Sequence, residues 1–304
     1  MTENIADRIR SLKEEKNAVI LAHSYTRPEV QDIADVVGDS LGLSRAAVEM
    51  DAEIIVFAGV HFMAESAAIL SPEKKVLLPA PDAGCPMADM ITAEALRAAK
   101  KKYPGACVVC YVNSSAAVKA ESDVCCTSAN AAEVVNAVES DEILFVPDRN
   151  LGRYVAGLTD KTVHLWDGFC PVHDAFGTAD VEAAKKVHPN AVFPAHPECR
   201  SEVLSRADGV FSTAGIFGFV GKSTAEEFII GTENGVLPCL RQENPGKRFY
   251  PLSEKALCPN MKKPTLANIL KVLETEENVV SVPEDIRVKA EKALNRMLEI
   301  LPSK

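Results

Sequence analysis

Three Cys-Pro dipeptides recur at nearly equal intervals along this chain of 304 residues. Their cysteines, Cys85, Cys170 and Cys258, are separated by 85 and 88 residues. A period of this size indicates one structural unit used three times, with a thiol at the same place in each unit. Three equivalent thiols from packed units can meet at one point. There, three thiolates would form a soft metal site with a coordination position left over.

The same period is visible away from the cysteines. The segments TAEALRAAKKKYPGA (92–106) and TADVEAAKKVHPNA (178–191) have the pattern of an amphipathic helix that stops at a turn and leads into an apolar strand. The segment IADRIRSLKEEKNA, followed by VILAHSY, is a weaker version near the start. A second strand is predicted at AEIIVFAG, DEILFVPD and DGVFSTAG, and a third at KKVLLP, KTVHLW and KRFYPL.

Strands that alternate with helices predict an α/β fold of βαβ units with parallel sheets. We expect three similar small domains, residues 1–87, 88–172 and 173–282, packed around a pseudo-threefold axis with the functional site at the centre. A C-terminal helical tail, residues 283–304, is expected to join the first domain. Because no low-complexity linker separates the units, they should form one body.

Polar residues occupy the same two positions at the end of the first strand in each unit. They are His23 and Tyr25, Tyr111 and Asn113, and His196 and Glu198. One such residue alone would more often be a structural hydrogen-bond partner. Ligands of parallel α/β sheets bind beyond the carboxyl ends of the strands, so six residues at equivalent ends predict a shared pocket.

Hydroxyl side chains extend this set of donors. Ser40 and Ser128 stand at predicted helix starts, where each could be an N-cap or part of an anion site. Ser212 and Thr213 follow the strand predicted at DGVF. Together these residues describe a cavity for small dicarboxylates or phosphates, with His and Tyr as acid/base groups.

The spacing of the cysteines leaves the metal open. Zinc could be held by the three cysteines with a water or a histidine, and His173 is a conceivable fourth ligand. A [4Fe–4S] cluster on three cysteines would keep one iron open, and the lack of a fourth equivalent cysteine slightly favours it. The other cysteines are not repeated and are not expected to be ligands: Cys107, Cys110, Cys125, Cys126, Cys199 and Cys239.

Charge and hydropathy argue against several classes of protein. The net charge is −10 and the sequence has no block of Lys and Arg, which disfavours nucleic acid or an anionic membrane as partner. No apolar run has the length of a membrane-spanning helix, and the start lacks the apolar region of a signal peptide. We expect a cytoplasmic protein without structural disulfides.

Over essentially its full length the chain resembles the quinolinate synthase family. The segments that carry the resemblance, besides the three cysteines, are AHSY, PEVQDIADVVGDSL, VFAGVHFMAES, YVNSSAAVKAESDVCCTSANA, PDRNLGRYVA, HPEC and STAG. The family usually has His-Asn-Tyr where this chain has His23-Ser24-Tyr25. In an extended segment the middle side chain points away from its neighbours, so we expect little effect.

The resemblance implies three α/β domains around a pseudo-threefold axis and a condensation of iminoaspartate with dihydroxyacetone phosphate to quinolinate, phosphate and water. It implies one [4Fe–4S] cluster per chain on Cys85, Cys170 and Cys258. An aspartate oxidase or dehydrogenase would supply the iminoaspartate. The implied substrate contacts are His23, Ser40, Tyr111, Asn113, Ser128, His196, Glu198 and Thr213. Proton transfer is implied for Tyr25 and Glu198, with His173 close to the cluster and His23 as a further catalytic candidate.

Two other functions stay open from the residues alone. An iron–sulfur hydro-lyase acting on another small hydroxy acid would use the same open iron. A zinc-stabilised protein that binds a metabolite without catalysis would use the same cysteines.

Overall fold

In the computed structural model, which describes residues 4–300, the chain forms three α/β units whose strands run parallel within each sheet. The α/β class with parallel sheets, predicted from the sequence, is therefore confirmed. The first three residues of the predicted 1–87 domain and the last four of the 283–304 tail lie outside the described residues. The domain boundaries stay a prediction.

The first two units share one strand order. The first contains helices α1 (Ile5–Glu15), α2 (Pro28–Gln31), α3 (Ser40–Glu49) and α4 (His61–Leu70), and strands β1 (Ala18–His23), β2 (Val36–Gly38), β3 (Ile54–Ala58) and β4 (Lys75–Leu77). The second contains α5 (Ala93–Lys102), α6 (Ala116–Ala120), α7 (Ala131–Ala137) and α8 (Arg149–Ala156), and β5 (Cys107–Tyr111), β6 (Val124–Cys126), β7 (Glu142–Val146) and β8 (Thr162–Leu165). The orders are β2-β1-β3-β4 and β6-β5-β7-β8.

The third unit has the same order in a less regular form. It contains helices α9 (Pro171–Asp174), α10 (Thr178–Val187), α11 (Ser201–Leu204), α12 (Thr213–Lys222) and α13 (Val236–Glu243), and strands β9 (Pro194–Ala195), β10 (Gly209–Val210), β11 (Glu227–Ile230) and β12 (Arg248–Pro251). Strand β9 pairs with β10, and β11 pairs with β12. Parallel bridges from Val192 to Phe228 and from Ala195 to Gly231 join the two pairs. The strands therefore follow the order β10-β9-β11-β12.

An aspartate fixes the second strand against the first in each unit. The carboxylates of Asp35, Asp123 and Asp208 each accept a hydrogen bond of 2.7 Å from the backbone N–H of the residue 15 positions earlier. The backbone N–H of each aspartate donates to the carbonyl of that same residue. Equivalent contacts at equal spacing support the internal repeat independently of the cysteines.

These aspartates also correct the alignment of the third unit. The sequence analysis equated DGVFSTAG with the strands that became β3 and β7, and this is wrong. Asp208 is equivalent to Asp35 and Asp123, so β10 corresponds to the edge strands β2 and β6. The strand of the third unit that is equivalent to β3 and β7 is β11. Strands β2 and β6 escaped prediction because each has only three residues, and β10, inside the predicted DGVFSTAG strand, has two.

The three units share one hydrophobic core. A single contiguous cluster of buried side chains contains Leu21 from the first unit, Val109 from the second and Phe228 from the third. The one body expected from the missing linkers is thus observed in the described residues. Within residues 4–300, no helix is both long and apolar enough to cross a membrane. The cytoplasmic location stays a prediction.

Two C-terminal helices fasten the units to each other. Helix α14 (Leu266–Thr275) packs on α1 and β3 of the first unit. Helix α15 (Glu284–Ile300) contacts α4 of the first unit and, more extensively, α6 and β6 of the second. The tail that was expected to join the first unit therefore bridges two units.

The strand-fixing aspartates should contribute measurably to stability. Asp123→Ala removes the acceptor of the buried Val108 N–H and should lower the free energy of unfolding by about 1–3 kcal/mol. The exposed Asp160→Ala should change it by less than about 0.5 kcal/mol. Urea unfolding followed by circular dichroism compares the two variants. Equal effects would contradict a structural role for the Asp123 carboxylate.

Candidate active site

A small polar cavity lies where the central strands of the three units end. Side chains from all three units line it, and the residues singled out in the sequence that lie in its wall are His23, Tyr25, Ser40, Tyr111, Asn113, Ser128, His196, Glu198 and Thr213.

These nine residues form three equivalent sets. The first set, at or directly after the ends of β1, β5 and β9, is His23, Tyr111 and His196. The second set, two residues further on, is Tyr25, Asn113 and Glu198. The third set follows the edge strands β2, β6 and β10: Ser40, Ser128 and Thr213. Each of these three positions of the repeat therefore contributes one side chain from every unit to the wall of the cavity.

A second small cavity adjoins the first. Cys85, Cys170 and Cys258 all line it. Tyr25, Asn113 and Glu198 line both cavities, as do Phe62 and Met261. The second equivalent set thus stands between the cysteines and the polar cavity.

The chemistry of the three thiols fits a metal centre. All three are free thiols of intermediate exposure. Burial raises the pKa of Cys85 to about 12 and also raises the pKa values of Cys170 and Cys258. A buried thiolate needs a cation beside it, and three soft sulfur donors around one cavity suit a soft metal. The donor set therefore fits a metal cofactor.

A second group of possible ligands, which shares Cys170 with the first, also lies in the wall of the cysteine cavity. One ligand atom each from Cys170, His173 and Glu198 lie within 4.8 Å of one another. However, His173 Nδ1 is 2.8 Å from Glu198 Oε2, and its Nε2 is 2.8 Å from Thr232 Oγ1. Both ring nitrogens already have protein partners, which favours a hydrogen-bonding role for His173 over a role as metal ligand.

Two imidazoles in the polar cavity are held in the same tautomer. The Tyr25 N–H donates to His23 Nδ1 at 3.1 Å, and the Glu198 N–H donates to His196 Nδ1 at 3.3 Å. In the neutral ring, this places the proton on Nε2. Burial lowers the pKa of His23 and of His196 to about 3. Near neutral pH both rings are therefore uncharged hydrogen-bond donors.

Glu198 is a buried carboxylate with one free oxygen. Burial alone would raise its pKa, but the neighbouring His173, His196 and Tyr111 together outweigh burial, and the pKa is lowered to about 2. Its Oε1 atom has no hydrogen-bond partner in the described part of the chain, and neither does Asn113 Oδ1. These two oxygens belong to residues that line the polar cavity, so both are acceptors available to a bound ligand.

The Tyr25 hydroxyl is held by two threonines. It lies 2.8 Å from Thr213 Oγ1 and 2.7 Å from Thr232 Oγ1. Burial raises the pKa of Tyr25 well above its usual value, so the hydroxyl keeps its proton. Tyr25 therefore presents a neutral O–H group between the two cavities.

The structure places Ser212 differently from the other predicted donors. Its hydroxyl accepts a hydrogen bond of 3.1 Å from the Gly215 N–H, as the N-cap of α12. It lines a neighbouring cavity that also contains Ser128. Its role in binding stays a prediction. The six cysteines not expected to be ligands do not line either the polar or the cysteine cavity.

The sequence analysis missed a buried ion pair beside Cys258. Glu233 is fully buried, accepts from the Cys258 N–H at 2.9 Å and lies 2.9 Å from Lys262 Nζ. Lys262 also donates to the Tyr25 carbonyl. Glu233 follows β11, and the fully buried Asp148 follows β7. These two acidic residues are 85 residues apart, close to the period of the repeat, so the sequence contained a signal for Glu233.

The neutral histidines should make stability depend on pH. An unfolded chain protonates His196 near pH 6.5, whereas the folded chain leaves it neutral down to about pH 3. Below pH 6.5 the unfolded state therefore binds more protons, and stability should fall by up to about 1.4 kcal/mol per pH unit for this ring. His196→Gln should remove that slope.

Urea unfolding of the metal-free protein between pH 8 and pH 5 measures this effect. The wild type and His196→Gln should have parallel pH dependences above about pH 7.5 and diverge below pH 6.5. Curves that stay parallel throughout would show that His196 is protonated as readily in the folded state as in the unfolded one.

Comparison with known proteins identifies the family of this chain. The chain matches the family model described as quinolinate synthetase A protein over residues 7–299. It is 61% identical over 296 residues to quinolinate synthase 2 of Methanosarcina acetivorans, which covers 97% of this chain and 96% of that protein. It is 57% identical over 299 residues to the quinolinate synthase of Methanoregula boonei, covering 98% and 99% of the two chains. It is 56% identical over 298 residues to that of Geobacter metallireducens, covering 98% of each. The chain belongs to the quinolinate synthase family.

Proposed function

We propose that this protein condenses iminoaspartate with dihydroxyacetone phosphate to give quinolinate, phosphate and water, in NAD biosynthesis. The observation that carries the proposal is the junction of the two cavities. Tyr25, Asn113 and Glu198 stand between a cavity rich in hydrogen-bond donors and a cavity lined by three cysteines. The choice of reaction rests on the membership of this chain in the quinolinate synthase family.

The cofactor we propose is one [4Fe–4S] cluster per chain, held by Cys85, Cys170 and Cys258. Three sulfur donors without a fourth cysteine in the cavity wall, and a His173 ring already engaged at both nitrogens, support this choice over zinc. When bound, such a cluster supplies an open iron that acts as a Lewis acid towards a hydroxyl or carboxylate.

Both proposed substrates are anions, yet no Lys or Arg among the described residues lines the polar cavity. Uncharged donors would bind them instead. The neutral rings of His23 and His196 donate from Nε2, and the Ser40 and Thr213 hydroxyls stand at the first residues of α3 and α12. The positive end of a helix dipole adds to the attraction for a carboxylate or phosphate.

The proton transfers are assigned to the second equivalent set. The ionised Glu198 has a free oxygen that can accept a proton from a substrate carbon or nitrogen. The Tyr25 hydroxyl keeps its proton and can donate a hydrogen bond to a substrate oxygen. His23 was a catalytic candidate from the sequence; its Nδ1 accepts from the Tyr25 N–H and its Nε2 carries the proton, which supports a role in donating to the substrate and orienting it.

An assay of the purified protein tests the reaction. Anaerobically prepared protein with iminoaspartate, supplied by an aspartate oxidase or dehydrogenase, and dihydroxyacetone phosphate should release quinolinate and phosphate in equal amounts. Neither should form when either substrate is left out. Dehydration of another hydroxy acid without quinolinate formation would instead identify a hydro-lyase.

The cysteines are tested one at a time. Cys85→Ser, Cys170→Ser and Cys258→Ser should each abolish activity and lower the iron content from about four atoms per chain, since each removes one thiolate ligand. Cys107→Ser is the matched control, because Cys107 lies on β5 outside both cavities and should keep iron, sulfide and activity. Normal turnover in any of the three variants would refute the ligand assignment. One zinc and no sulfide in the wild type would support the zinc-stabilised protein.

A further inference from the structure

Among residues 4–300, Lys119 is the only lysine that is fully buried. It lies on α6 of the second unit and lines neither of the two cavities. No carboxylate in the described part of the chain lies within ion-pair distance of its ammonium group. A buried charge without a counter-ion is costly, and an apolar side chain of similar size would cost less. The presence of Lys119 is therefore better explained by what its ammonium group holds in place than by stability.

The Lys119 ammonium group has two partners beside the proposed active site. It donates a hydrogen bond to the Ser114 carbonyl, and it lies 5.4 Å from the centre of the Phe62 ring. The face of an aromatic ring attracts a cation, which offsets part of the cost of burial. Phe62 lines both cavities, and Ser114 directly follows Asn113, which also lines both. Lys119 therefore stands behind a part of the wall that the two cavities share.

The backbone around Asn113 forms a tight turn between β5 and α6. The Ser114 N–H donates to the Val112 carbonyl at 2.8 Å, and the Val112 N–H donates to the Cys126 carbonyl at 2.9 Å. These two hydrogen bonds fix the side of the turn that follows the strand. The hydrogen bond from Lys119 fixes the carbonyl on the other side, where the chain enters α6. The position of Asn113 between them depends on both.

The side-chain oxygen of Asn113 has no contact of its own to fix it. Asn113 Oδ1 is buried and has no hydrogen-bond partner among the described residues. The backbone of the turn therefore sets where this acceptor lies at the junction of the cavities. A displacement of about 1 Å in a group that meets the substrate can lower the rate by about 100-fold.

We propose that Lys119 is a positioning residue that holds the Asn113 amide in its substrate-binding orientation through the Ser114 carbonyl. This inference rests on the proposed function, with Asn113 as one of its substrate contacts. Because Lys119 lines neither cavity, its effect on the reaction passes through the turn. Replacement of Lys119 should therefore matter little once the Asn113 amide has been removed.

Two substitutions of equal side-chain length test the hydrogen bond. Lys119→Met removes the donor, whereas Lys119→Gln removes the charge but keeps an N–H group directed towards the Ser114 carbonyl. In the iron-loaded full-length enzyme, Lys119→Met should lower kcat/KM by about 10–100-fold, because the Asn113 amide is displaced. Lys119→Gln should keep kcat/KM within about fivefold of the wild type, because a hydrogen bond is kept. Iron and sulfide contents should equal those of the wild type in both variants.

Combination with Asn113→Ala shows whether Lys119 acts through that residue. In the Asn113→Ala protein, the further change Lys119→Met should lower kcat/KM by less than about threefold, because the effects of groups that act as a unit do not add. Lys101→Met is the control, since Lys101 is an exposed residue of α5. It should leave kcat/KM unchanged in the wild-type and Asn113→Ala proteins alike.

Three kinetic outcomes would overturn the proposal. They are a wild-type kcat/KM in Lys119→Met, equal losses in the methionine and glutamine variants, or losses that multiply in the double variant. If Asn113→Ala has no measurable turnover, a crystal structure of Lys119→Met replaces the double variant, and an unmoved Asn113 amide ends the proposal. If both Lys119 variants fail to fold or to hold iron, the role of Lys119 is structural and the proposal fails. Failure of the proposed function is separate, because wild-type protein would then form no quinolinate.

Discussion

The central strands of the three sheets end around one small volume. Both cavities of the candidate site exist because these strand ends lie close together. A repeated backbone brings three copies of each position to the same cavity. At the cysteine position the three side chains are identical, which suits a centre that needs three like ligands. At the second position they differ, because Tyr25, Asn113 and Glu198 offer a hydroxyl, an amide and a carboxylate. The repeat thus places like side chains around the cysteine cavity and unlike side chains around the polar cavity.

Much of this arrangement was readable from periodicity. The spacing of the cysteines and the polar pairs at the strand ends predicted one shared central site, since both are properties of position within a repeat. The structure divides this site into two adjoining cavities. The third unit was misaligned because β9 and β10 are only two residues long, too short for a pattern of hydrophobicity. Asp35, Asp123 and Asp208 would have given the correct alignment, because each lies 15 residues after the strand residue that it fixes.

Other features depend on contacts between units and have no signal in any one segment. Thr232 lies 207 residues from Tyr25, and nothing in its neighbourhood distinguishes it from a threonine at a strand end. The apolar Phe62 and Met261 line both cavities, and neither occupies a position of the repeat that was singled out in the sequence. The charge state of His23 also could not be read from the local sequence. Sequence reasoning made it an acid/base group, but burial by residues from several units lowers its pKa to about 3.

The electrostatics of the two cavities are linked through Glu198. Burial is the main cause of the raised pKa values of Cys85 and Cys170, and the Glu198 charge raises them further. The carboxylate that is available to take a proton therefore also opposes ionisation of the thiols. A metal bound by the thiolates offsets that repulsion and releases protons as it binds. Since Glu198 lines both cavities, assembly of the metal centre would also change the charge that the carboxylate senses. A metal held by the proposed cysteine ligands would therefore change the pKa of Glu198, the proposed proton acceptor, across the junction of the cavities.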